Sequence, residues 1–81
     1  MATHVEKTRR ELQETRAALR RMEARRREIA DRPLRDESRR LRFLRRMDTE
    51  IEAARNRLIV AEAEHERAQA LAAREWRKDL K

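Results

Sequence analysis

The nine residues ADRPLRDES, Ala30 to Ser38, hold the only proline of an 81-residue chain that has no glycine. Proline fixes its own φ, donates no N–H and drives the residue before it out of helical geometry, so a helix arriving from the N-terminal side stops here. Asp31 or Ser38 offers an oxygen to cap a helix that starts again. The stretch therefore reads as a turn between two helices. A single helix kinked at Pro33 is the alternative, and it would need another chain to cover its apolar seams.

Both sides of the break are built from helix formers. The chain is 38% hydrophobic and 48% charged, with one proline, no tyrosine and an abundance of Ala, Glu, Arg and Leu. That is too polar for an ordinary globular core at this length, and it is the composition of long helices. Disordered chains of similar charge are rich in Pro, Gly and Ser, which nearly vanish here.

Apolar residues recur every seven positions on each side. Before the break, Val5, Leu12 and Leu19 form one series and Thr8, Thr15, Met22 and Ile29 the other. After it, Leu44, Ile51, Leu58, His65 and Ala72 alternate with Met47, Ala54, Ala61 and Ala68. These are the a and d positions of a coiled-coil seam. The expected fold is all-α: a two-helix antiparallel coiled-coil hairpin, a single unit over residues 1–81, with helices near 3–30 and 36–79 and a turn near 31–35. Folding symmetrically about Pro33 pairs residues whose numbers add to 66, such as Leu12 with Ala54, Leu19 with Met47 and Met22 with Leu44. Most layers then match a small side chain with a large one. The flanks match Glu11 with Arg57, His4 with Glu64 and Arg16 with Asp48, with Arg9 against Arg55 the one repulsive pair. In this register Arg26 and Arg40 share a seam layer, and each is expected to turn outward to a glutamate three residues before it, Glu23 or Glu37.

A lone two-helix seam gains little against an ordering cost of about 1.5 kcal/mol per residue, so the hairpin is expected to be oligomeric or partner-bound. Leu58, Ile59 and Val60 in succession, with Phe43 at a flank, imply a second contact face. The second helix is expected to overhang the first from residue 66, with Ala68, Ala72, Trp76 and Leu80 in one stripe beside Leu71. The candidate apolar contacts are accordingly Phe43, Ile59, Val60, Leu71, Trp76 and Leu80.

Charge is gathered at the turn. Residues 20–46 contain 12 arginines and 5 acidic residues, so the whole net charge of +7 falls there. Arg20, Arg21, Arg27, Arg39, Arg42, Arg45 and Arg46 occupy outward heptad positions, with Arg32 and Arg35 in the turn. A solvated face with local pairing to Glu23, Glu28, Asp36 and Glu37 explains part of this. Solubility does not require one sign at one end, however, and a docking surface for an acidic partner does.

No residue pattern points to chemistry of its own. Without glycine there is no phosphate-binding loop. Ser38, the only serine, has no base with an orienting partner. His4, His65 and Glu64 near the open end fall short of the three or four fixed ligands a metal site needs, so no metal and no cofactor is expected. No zinc-finger spacing, helix-turn-helix turn or basic-zipper contact region is present, and the aromatics are only Phe43 and Trp76. The arginines are interleaved with acids and lack a broad apolar face, which argues against a membrane surface.

The longest apolar run, Leu58-Ile59-Val60-Ala61, is far short of the roughly 20 residues of a spanning helix. The first residues resemble neither a secretory signal nor a transit peptide, so the mature chain is expected to start near Met1. The absence of cysteine permits a reducing cytoplasm. Arginine outnumbers lysine 20 to 3, a hint of a GC-rich bacterial or phage genome. No motif assigns the chain to a family. The expected role is a non-enzymatic coiled-coil adaptor, assembly factor or chaperone-like subunit working through protein–protein contacts, its basic tip docking an acidic partner. The alternative is a helical hairpin that holds a nucleic-acid backbone with that tip, and no small-molecule substrate is expected in either case.

Overall fold

The computed structural model describes residues 3–32 and 36–79 of the chain. They form two helices, α1 (His4–Asp31) and α2 (Glu37–Asp79), with no strand among the described residues. The two pack against each other as an all-α antiparallel hairpin with a longer second helix, 69 Å by 18 Å by 17 Å in extent. At about 1.5 Å per residue, the 43 residues of α2 account for nearly all of that length. Pro33, Leu34 and Arg35 of the expected turn, and Leu80 at the far end, lie outside the described residues.

The helix ends follow from local chemistry. The Thr3 hydroxyl accepts the Glu6 N–H at 3.1 Å and the Thr3 carbonyl accepts the Lys7 N–H at 3.0 Å, which starts α1. Thr3 and Glu6 have the spacing of a capping box, and Glu6 sits where the helix dipole favours a negative charge. Arg32 ends α1 at φ −79°, ψ 130°, the extended conformation that a following proline imposes. The cap of α2 is Asp36, whose carboxylate accepts the Arg39 N–H at 3.2 Å and whose carbonyl accepts the Arg40 N–H at 3.1 Å. Asp31 and Ser38, expected as caps, lie inside α1 and α2.

The seam is the expected one, but its register is not. The Thr8 hydroxyl lies 2.9 Å from His65 Nδ1, and Leu19 packs in one core cluster with Ile51 and Ala54, flanked by Met22 and Leu58. These pairs add to about 73, so α2 is displaced by one full heptad from the symmetric fold. The layers become Val5–Ala68, Thr8–His65, Leu12–Ala61, Leu19–Ala54, Met22–Ile51 and Ile29–Leu44; the first four match a smaller side chain with a larger one, and the two nearest the turn pair large with large. The displacement removes the layer in which Arg26 met Arg40 and gives Arg26 a position beside Met47 and Asp48. Ala68, only 2% exposed, is therefore covered by α1 and does not belong to the overhang.

Burial is confined to this seam. Leu12, Leu19, Leu44, Met47, Ile51, Ala54 and Ala68 are the buried apolar residues, with Thr8 the buried polar one. The solvent-accessible surface is 7391 Å², against about 5,200 Å² for a compact domain of this mass. Such a rod keeps little interior, so what it does is done with its surface.

Candidate interaction surface

Two arginines of the tip are committed to holding the helices together. The Arg26 guanidinium forms a two-pronged pair with Asp48, Nε to Oδ1 and Nη2 to Oδ2, the second at 3.2 Å. Arg40 reaches back across the turn and donates to the Ala30 carbonyl. That oxygen belongs to the last turn of α1, where carbonyls lack intrahelical partners and a positive charge is favoured. α1 has no basic residue of its own in that turn, so α2 supplies one. Neither arginine turns to Glu23 or Glu37 as the sequence suggested, because the heptad displacement brings better partners within reach. Glu23 instead faces Arg55, Oε2 to Nη2 at 3.9 Å.

The Arg26–Asp48 contact polarises both partners. Its hydrogen bonds, joined by the charges of Arg26 and Arg55, hold the Asp48 carboxyl below the usual carboxylate range against the opposing effect of desolvation. The same hydrogen bond and charge raise the Arg26 guanidinium further.

The remaining arginines of the tip face solvent, Arg42 also donating to the Ser38 carbonyl at 3.5 Å. Arg20, Arg21, Arg25, Arg27, Arg32, Arg39, Arg42, Arg45 and Arg46 are all exposed, and none belongs to the two ion pairs found among the described residues. Arg35 lies outside those residues. Among the described residues Glu28, Asp36 and Glu37 enter no ion pair, and Asp36 caps α2.

Heptad position sorts these arginines by side. In an antiparallel hairpin the e positions of both helices share one flank and the g positions the other. Glu23, Asp48 and Arg55 are e residues, so both ion pairs lie on the e flank, in a groove that also holds Arg27, Ile51, Glu52 and Ile59. The g flank at the tip carries two shallow concavities. One, on α1, is lined by Arg21, Ala24, Arg25, Glu28, Ile29 and Arg32, and the other, on α2, by Arg39, Arg42, Phe43 and Arg46. Arg25 was missing from the sequence-derived set although it sits between Arg21 and Arg32 on this ridge. Its i+4 spacing from Arg21 was the available signal.

The apolar candidates do not form one face. Phe43 is exposed between Arg39, Arg42 and Arg46, and Ile59 lies in the e-flank groove while Val60, one residue on, turns to the opposite shoulder of α2. Leu41, which the sequence reading passed over, is also exposed. At the open end every described side chain from Gln69 to Lys78 is exposed, including Leu71 and Trp76. The overhang is shorter than the expected stretch from residue 66: α1 ends opposite residue 70, leaving about 14 Å of bare helix up to Asp79.

His4 does not meet His65. It lines a groove with Lys7, Glu11, Glu64, Arg67 and Leu71, while His65 turns into the seam toward Thr8. Among the described residues no three His, Cys, Asp or Glu side chains converge as metal ligands, and no helix is long and apolar enough to cross a membrane. No family model, curated protein or solved structure matches the chain.

Proposed function

We propose that the protein is a non-enzymatic coiled-coil adaptor or assembly subunit of the cytoplasm. Its hairpin is a rigid spacer that docks an acidic partner with its arginine-bearing tip and contacts a protein through the bare end of α2. The observation that carries this reading is the set of nine exposed tip arginines that take no part in the ion pairs of the described residues. Exposed like charges at one end raise the local potential, speed association with an opposite charge and do nothing for the hairpin itself.

Reversing Arg39, Arg42 and Arg46 to Glu tests it. These side chains face solvent, so the circular-dichroism helix signal is expected to persist. Binding to the acidic partner recovered by affinity capture from producing cells is expected to be lost, and in the unmodified protein to weaken steeply with salt. Binding indifferent to both changes overturns the role of the tip.

A further inference from the structure

We propose that the g flank of the tip docks on the phosphate backbone of duplex DNA, astride the minor groove. This rests on the reading of the tip as a docking end and names the partner that end takes.

The composition of the flank separates nucleic acid from protein. Its two concavities present Arg21, Arg25, Arg32, Arg39, Arg42 and Arg46 against a single acid, Glu28, with Phe43 the one large exposed apolar side chain among them. Protein–protein interfaces are depleted of charge at their centre and gather apolar and aromatic side chains there. Protein–DNA interfaces are more polar and far more positive. The basic residues of this flank are all arginines, whose planar fork matches phosphate oxygens two at a time.

Geometry selects the mode. Arg21, Arg25 and Arg32 follow α1, and Arg39 and Arg46 follow α2, as two rows on helices whose axes pack about 8–10 Å apart. Both rows stand on the same flank of the seam, Arg21, Arg39 and Arg46 at c positions and Arg25 and Arg32 at g, so they lie wider apart than the helix axes and can reach the strands on either side of the minor groove of B-DNA, about 6 Å wide. The minor groove of an RNA duplex is wide and shallow and suits them poorly. The hairpin, 17–18 Å across, is too broad for the roughly 12 Å major groove, so base edges stay out of reach and binding is independent of sequence. Single strands gain no stacking platform, because Phe43 and Trp76 stand about 50 Å apart along α2.

The test is fluorescence anisotropy of the full chain with a labelled DNA duplex of about two turns (~21 base pairs), a duplex RNA of the same length, and a polyglutamate peptide. Five arginines each neutralising a phosphate give a log–log salt slope near −4.5, or about 500-fold weaker binding between about 50 and about 200 mM salt. Arg25→Glu/Arg39→Glu/Arg46→Glu, on the g flank, is expected to weaken DNA binding by about 100-fold or more. Arg20→Glu/Arg27→Glu/Arg45→Glu, with the same change of charge on the other flank, is expected to cost about tenfold or less. Equal losses overturn the choice of flank, and RNA bound as tightly as DNA overturns the minor-groove match. If DNA does not bind but polyglutamate binds and is lost on reversal of the tip arginines, the nucleic-acid inference fails while the docking tip stands. If neither probe binds, both fail.

Discussion

Thr8 and His65, 57 positions apart in sequence, meet across the seam with Oγ1 and Nδ1 2.9 Å apart, at a point where Thr8 is 4% exposed. The Thr8 hydroxyl has one hydrogen and lies within hydrogen-bond reach of both the Val5 carbonyl, at 3.0 Å, and His65 Nδ1. Removing the hydroxyl leaves His65 Nδ1 without its partner in the seam, whereas Thr8 without His65 still has the Val5 carbonyl. Thr8→Val is therefore expected to cost about 1 kcal/mol, while Thr8→Val with His65→Leu is close to neutral or stabilising. Urea denaturation of the two single variants and the double variant measures the coupling; a coupling of zero would show that the contact contributes nothing.

The same pair fixes the register, and a cross-link checks it. Leu19→Cys with Ala54→Cys is expected to oxidise to a disulfide within one chain, since these residues share a core cluster. Leu12→Cys with Ala54→Cys, facing partners in the symmetric fold, stand a heptad or about 10 Å apart along the axis and should stay reduced. The reverse result on a non-reducing gel restores the symmetric register, and dimers alone exclude the intramolecular hairpin.

Sliding α2 by seven residues leaves every a and d position in the seam, so the apolar pattern that makes the fold legible carries no information about which heptad faces which. Charges at the flanks favoured the symmetric fold and were misleading, because exposed pairs contribute little. The stronger signal was the layer that set Arg26 against Arg40, an unfavourable contact that the displacement exchanges for the Arg26–Asp48 pair and the Arg40 bond to Ala30. The arginine cluster was visible from composition. Its division into a paired flank and an open one was not, because that depends on the register. For the same reason Ala68 was read as exposed.

The Arg26–Asp48 pair makes a stability term with a definite pH window. Asp48 is held below the ordinary carboxylate value of about 3.9, so the folded state binds this proton more weakly than the unfolded chain. The contribution is complete above that value and is lost as pH falls through the lower folded-state value. Asp48→Asn is expected to lower the thermal midpoint at pH 7, and the gap from the unmodified protein should close below about pH 4. A gap unchanged by acid would mean that Asp48 acts through packing and not through charge.

The open end of α2 has a face without a cover. Leu71 is a g residue, Ala72 an a residue and Trp76 an e residue, so the exposed apolar side chains border the line along which α1 would continue past Thr3. A partner helix placed there, in line with α1, would lie between Leu71 and Trp76 and extend the existing seam. An exposed Trp beside Leu is the kind of anchor on which binding energy concentrates. The hairpin does not depend on it, since Ala68 is the last residue buried by α1. Deleting residues 71–81 is therefore expected to leave the thermal midpoint and the helical signal per residue of the hairpin unchanged. It is also expected to abolish capture of the protein partner or, where that partner is a second copy, to halve the mass measured by light scattering. A narrower variant, Leu71→Ala with Trp76→Ala, should weaken the same contact by about 100-fold, the loss of two anchors at about 1–2 kcal/mol each. A truncated chain that keeps its midpoint, its mass in solution and its partner would show that the last turns of α2 are only a tail.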